Sequence, residues 1–154
     1  MNFRKGFDEI AGEFQEFYRE LGEGVELRDI LMVSVVPVVL TGVFLLPSSV
    51  QKGFILNFQN IDFYNFFSYA FVHRGWGHVV GNLISYVSLV VPVYVLCVLA
   101  GEKRFFRYTW LIFVLALPVV IGLIEFASPV SPVATAGFSG VDAAFLGVLP
   151  ISLM

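Results

Sequence analysis

Phe71-Val72-His73-Arg74-Gly75-Trp76-Gly77-His78-Val79-Val80-Gly81-Asn82 holds both histidines of the chain and opens a long apolar run. On a helix, residues four apart share a face, so His78 and Asn82 stand one turn apart on the same side. His73 precedes His78 by five residues, too far round to share that face, and is expected in the loop ahead of the helix. Polar groups carried into a membrane are costly and usually mark a site. Composition therefore decides whether these residues sit in one.

The chain is 58% hydrophobic and only 14% charged. A soluble domain is less apolar and about a quarter charged, so the composition points to an integral membrane protein. A net charge of −3 without a basic block excludes a nucleic-acid partner from the reading. Cys97 is the one cysteine, which rules out an intrachain disulfide and makes it a small packed hydrophobe. Residues 1–29 carry charges throughout and have no apolar core of the kind a cleavable signal needs.

Within 1–29, Phe3, Phe7, Ile10, Phe14, Phe17 and Leu21 follow strict 4-3 spacing, one stripe of a helix. Asp8, Glu9, Glu13, Glu16, Glu20 and Glu23 make the opposite face acidic, where a helix on anionic lipid prefers lysine and arginine. Two readings stand equal: the stripe rests on the membrane or on the protein's own cytosolic face, or it pairs with another helix. Gly22 and Gly24 are expected to break this helix before the first span.

Four apolar segments follow: about Ile30 to Leu46, His78 to Ala100, Tyr108 to Ile124, and Phe138 to Met154. Apolar runs of about 17–25 residues fit a bilayer as helices, and their internal Pro37, Pro92, Pro118 and Pro150 are tolerated where neighbours satisfy the freed carbonyls. Arg4, Lys5, Arg19 and Arg28 precede the first span, and Lys103, Arg104 and Arg107 follow the second. The other side has only Lys52 and Arg74. Basic residues favour the cytoplasm, which puts the N-terminus inside and the starts of the second and fourth spans outside. His78 and Ser139 then fall at the same membrane face. Residues 48–76 interleave aromatic and polar side chains without a clean spanning run, the pattern of a folded element partly sunk in the outer interface.

The second landmark is Ala136-Gly137-Phe138-Ser139-Gly140. Glycines let the backbone turn tightly beside a serine. At a helix start, free N–H groups and the helix dipole can stabilise an oxyanion. A serine nucleophile also needs a base. Taken alone, Gly-x-Ser-Gly reads better as helix packing, since Gly140 and Ala144 have small-xxx-small spacing. His73 and His78 alone divide evenly between structural hydrogen bonding and function. A metal site is disfavoured, because His-x4-His lacks the spacing and the glutamate of a helical zinc motif.

Together, His-x4-His-x3-Asn opening one membrane helix and Gly-x-Ser-Gly opening the next but one resemble the rhomboid family of intramembrane serine proteases. Gly101-Glu102-Lys103-Arg104 looks like the family's cytoplasmic Glu-Lys-Arg turn. The resemblance covers roughly residues 30–154. It implies an all-α, polytopic helical bundle with four transmembrane helices present of an expected six. Its domains would be 1–29, a cytoplasmic amphipathic helix, and 30–154, the transmembrane domain, with 48–76 as the outer loop. It further implies that Ser139 is the nucleophile and that His78 and Asn82 stabilise the oxyanion with the Ser139 N–H. Gly137 would shape the nucleophile turn and His73 would be a structural partner. The substrates would be transmembrane proteins cleaved in or near the bilayer, with no metal or organic cofactor.

Departures from the pattern are local, with one exception. The family's Trp-Arg pair would fall at Tyr64-Asn65, and the aromatic expected four residues after the serine is Ala143, with Phe145 near. Asp142 is an unusual charge at that depth, read as a partnered packing residue, a polar group near the site, or a protonated acid. The run from Asn82 to Glu102 is longer than usual by roughly two helical turns. The exception is the general base. The family carries it on a sixth span, and no histidine follows Ser139. The expectation is a truncated record whose missing C-terminal helices belong to the full-length chain, inactive by itself and from a prokaryotic plasma membrane. The alternatives are a non-catalytic rhomboid-like protein that binds or escorts membrane clients, and an unrelated four-span protein with chance motifs.

Overall fold

A computed structural model describes residues 3–128 and 134–148, with side chains described from residue 10 onward in the first helix. Eight helices appear among these: α1 (Phe3–Gly24), α2 (Leu27–Phe44), α3 (Ser48–Lys52), α4 (Asn65–Ser68), α5 (Trp76–Leu99), α6 (Lys103–Leu111), α7 (Leu117–Ala127) and α8 (Ser139–Val148). A π-helical turn, Ile112–Ala116, joins α6 to α7. Three helical stretches are long and apolar enough to cross a bilayer: Leu27–Phe44, Trp76–Leu99 and Lys103–Ala127. The fourth apolar segment is described as the shorter α8. Its expected continuation to Met154, with Pro150, lies outside the described residues. The chain is an integral membrane protein built as a helical bundle.

Prolines dictate where this bundle needs polar partners. Proline has no N–H, so the carbonyl four residues earlier loses its donor. In hydrocarbon that carbonyl must be satisfied by protein. Pro37 frees the carbonyl of Val33, and the Tyr86 hydroxyl of α5 donates to it at 3.0 Å. The Trp110 indole of α6 donates to the same hydroxyl at 2.7 Å. One phenol thus joins the three spanning stretches. Pro118 is the second residue after the π turn, and its own carbonyl accepts from Tyr69 of the segment between α2 and α5 at 3.1 Å.

The opposite end of these helices is held by charge. Asp29, 1% exposed, takes two hydrogen bonds from Arg107, at 2.6 and 2.9 Å, and one from Tyr94 at 3.1 Å. Glu26 ahead of α2 pairs with Lys103, Arg107 and Arg28. Its carboxyl is held down at about 2, first by the Lys103 hydrogen bond and then by Arg28. Lys103 also caps the Gly24 carbonyl at 3.1 Å. Sequence spacing presents Lys103 and Arg107 only as free cations, whereas the structure pairs both with carboxylates of the α1–α2 junction.

One expectation about the first helix changes. Gly22 lies inside α1, which continues through Gly24, and the break falls at Val25–Glu26. Gly24 packs closely against the Val98 side chain of α5, where a Cβ would not fit. Of the stripe, Leu21 packs on the bundle core while Ile10, Phe14 and Phe17 are exposed.

The stretch between α2 and α5 is folded, as its aromatic content suggests. Besides α3, α4 and a 3₁₀ turn at Tyr69–Phe71, it contains β1 (Leu56–Asn57), which pairs antiparallel with β2 (Ala134–Thr135). Tyr64 donates to the Gly53 carbonyl at 3.1 Å, and Ser68 links Asn65 to the Phe54 carbonyl. Tyr64-Asn65 therefore makes a small network of its own where the family pattern has Trp-Arg. Phe66 and Phe58 pack on Phe126 of α7.

Tyr86→Phe should destabilise the detergent-solubilised protein by about 1–3 kcal/mol, because it strands the Val33 carbonyl and the Trp110 N–H. Thermal unfolding followed by circular dichroism measures this. An unchanged midpoint would show that the three-helix link carries no stability.

Candidate active site

His73 is in the loop ahead of α5, 1% exposed. Its Nδ1–H donates to the Phe71 carbonyl at 3.2 Å, and its Nε2 accepts from the Asn82 amide at 2.6 Å. These partners define a neutral ring with the proton on Nδ1. Burial pushes the His73 imidazole below its usual value, the Phe71 bond pulls it back, and the nearby His78 pushes it down again. The His73 and His78 rings meet edge to face with centroids 4.9 Å apart. Asn82 has two amide N–H groups; one is committed to His73, and the second has no partner among the described residues.

The serine turn comes to the same place from the other landmark. The Gly137 N–H donates to the Tyr69 carbonyl at 3.0 Å. Gly137 has φ +127°, a backbone conformation that side-chain-bearing residues rarely adopt. A Cβ there would lie 3.1 Å from Cε1 and 3.4 Å from Nε2 of His78. Glycine at this position thus permits both the turn and the close approach of the two landmarks. Phe138 next to it is fully buried, packed on Tyr86 and Phe71 with ring centroids 6.0 and 5.6 Å away. That burial anchors the turn, and Ser139, exposed, begins α8. N–H groups in the first turn of a helix have no intrahelical acceptor, so the backbone at Ser139 offers free donors beside His78. A cavity of 150 Å³ opens next to Ser139, lined by Tyr69, Pro118, Ile121 and Glu125 among others.

A family model for the Rhomboid domain matches residues 60–153. The chain belongs to the rhomboid family. No curated protein and no solved structure matches it. The matched stretch of this rhomboid chain contains both landmarks, from the His73 loop to the Ser139 helix, while α1 and α2 lie before it.

The structure narrows several readings that spacing leaves open. Asp142 is 4% exposed, and both its carboxyl oxygens lack a partner among the described residues, so the partnered-packing reading does not hold there. Phe145, near the serine in sequence, points into the core onto Tyr86 and Phe113. Gly140 lies against α7, where a Cβ would meet Ile121 Cδ1 at 2.7 Å, so it also serves helix packing. Among the described residues no group of three His, Cys, Asp or Glu side chains could hold a metal. Tyr86 was missed. It continues the four-residue stripe of His78 and Asn82, and that spacing was the available signal.

An unfolded histidine titrates near 6.5, and folded His73 titrates lower. Between the two values the unfolded chain binds more protons, so stability falls as pH drops below about 6.5. A lower thermal midpoint at pH 5 than at pH 7.5 is expected, with the difference reduced in His73→Gln. An undiminished difference in the variant would assign the pH dependence elsewhere.

Proposed function

We propose that this chain contributes the nucleophile and oxyanion elements of a rhomboid-type serine endopeptidase that cleaves substrates in or near their transmembrane segments. The family acts generally as serine proteases on membrane-embedded substrates. The observation that carries the reading is the approach of Gly137 to the His78 ring, which sets the Ser139 turn beside His78.

In this mechanism the Ser139 hydroxyl attacks the scissile carbonyl as its proton passes to a base. The tetrahedral oxyanion accepts hydrogen bonds from His78, from the second N–H of Asn82 and from the Ser139 backbone N–H. Collapse breaks the C–N bond, the amine leaves with a proton, and water hydrolyses the acyl-enzyme. His73 is a positioning residue that orients the Asn82 amide. Preorganised donors of this kind act more strongly where bulk water is excluded. The basic residues around α1 and the α5–α6 turn support a cytoplasmic N-terminus with Ser139 outward, and a prokaryotic plasma membrane is the location proposed.

The base is the missing part. In a neutral His73 both ring nitrogens are committed, and no histidine follows Ser139 in the sequence. The base in this mechanism is a group other than His73 and His78. Both ring nitrogens of His73 are engaged, so it cannot take the Ser139 proton, and that favours a second reading, a rhomboid-like protein that holds membrane clients without cleaving them.

Cleavage of a reconstituted transmembrane substrate by the complete protein separates the two. Ser139→Ala should abolish cleavage without unfolding the protein, and unchanged turnover would refute the nucleophile. His78→Ala should lower the rate by roughly 10²–10³-fold, the cost of a lost oxyanion donor. An effect confined to KM would count against that role.

A further inference from the structure

Beyond the serine site, the same membrane end carries a second polar pocket. It measures 410 Å³ and lies between the end of α2, α3 and the His73 loop. That volume is within the roughly 300–1,000 Å³ of ordinary ligand sites. Lys52, Arg74 and Ser48 line it together with the apolar Phe44, Ile55 and Val72. Between Asp29 and Glu102 the chain has only two cations, Lys52 and Arg74, and both face this one pocket. No carboxylate lines it, and among the described residues neither cation has an ion-pair partner. The cations near the other membrane end contrast with this: Arg28, Lys103 and Arg107 are each paired with Glu26 or Asp29.

We propose that the Lys52–Arg74 pocket binds the phosphodiester headgroup of an anionic phospholipid. Arginine's planar fork and the lysine point charge are both suited to phosphate oxygens. The pocket's depth in the membrane selects a lipid as the source. Its Phe44 wall ends the first span, and Phe44 packs edge to face on Trp76, which begins α5 with centroids 4.6 Å apart. Trp76 is itself exposed, and exposed tryptophan at a helix end marks the headgroup zone. The polar side of the pocket therefore meets phosphate, while Phe44, Ile55 and Val72 meet the glycerol and upper acyl chain. His73 also reaches the pocket but contributes no charge, because both its ring nitrogens are engaged.

The test is lipid titration of the full chain in a neutral detergent, read by thermal midpoint and by native mass spectrometry. The probes are dioleoyl phosphatidylglycerol, dioleoyl phosphatidylcholine and inorganic phosphate. Phosphatidylglycerol should raise the midpoint and be retained one to one, well above the other two. The double variant Lys52→Gln/Arg74→Gln should bind it on the order of tenfold more weakly or worse, from the loss of two interfacial cations. Both side chains are exposed, so the fold should persist. The conservative pair Lys52→Arg/Arg74→Lys should retain binding, and Arg104→Gln at the other membrane end should leave it unchanged. An undiminished response in the double variant overturns the site. A phosphatidylcholine response equal to that of phosphatidylglycerol removes its charge basis and overturns it as well. Inorganic phosphate matching phosphatidylglycerol assigns the pocket to free phosphate and overturns the lipid.

Discussion

The Tyr86 hydroxyl satisfies the carbonyl that Pro37 leaves without a donor, and the ring that makes this link also carries Phe138 of the serine turn. In water a freed carbonyl would be hydrated at little cost. In hydrocarbon it must find a protein donor. Tyr86 supplies one from α5, takes the Trp110 N–H from α6, and thereby fixes α2, α5 and α6 against each other. The same ring also packs on Phe138 and Phe145. The residue that resolves a backbone problem deep in the bundle thus supports the turn that presents Ser139.

A second constraint acts at the far end of the helices. Asp29 is buried, and a buried charge is tolerable only when paired and hydrogen-bonded. Arg107 and Tyr94 provide that, and Glu26 pairs with Lys103 and again with Arg107. Ion pairs of this kind define geometry more than they add net stability. Here they set α2 against the α5–α6 turn, so the two ends of the bundle are positioned by different chemistry: a phenol inside the apolar region and a carboxylate–guanidinium cluster at its edge.

The spans and the two polar landmarks were legible because both depend on local spacing. Apolar length marks a spanning helix, and four-residue spacing put His78 and Asn82 on one face. Alternation of spans was enough to bring Ser139 to the same membrane end as His78. What spacing does not carry is contact between residues far apart in sequence. Asp29 meets Arg107 across 78 positions, and Leu56 pairs with Thr135. Neither has a local signature, so the basic residues read as free topology signals when three of them, Arg28, Lys103 and Arg107, are partners of buried or half-buried carboxylates. The Pro37–Tyr86 relation was half visible: the proline announces an unsatisfied carbonyl, and only the packed helices say which side chain answers it.

The central claim is that the glycine turn and the His78–Asn82 face make Ser139 a reactive serine. The most direct measurement is labelling of the complete protein in native membranes with a fluorophosphonate, followed by peptide mass spectrometry. Such probes modify serines whose hydroxyl is activated and whose neighbours stabilise a tetrahedral phosphorus adduct. The account predicts a single adduct on Ser139 that disappears when His78 is replaced by alanine. Absence of the adduct, or labelling at Ser139 that is indifferent to His78, would contradict it.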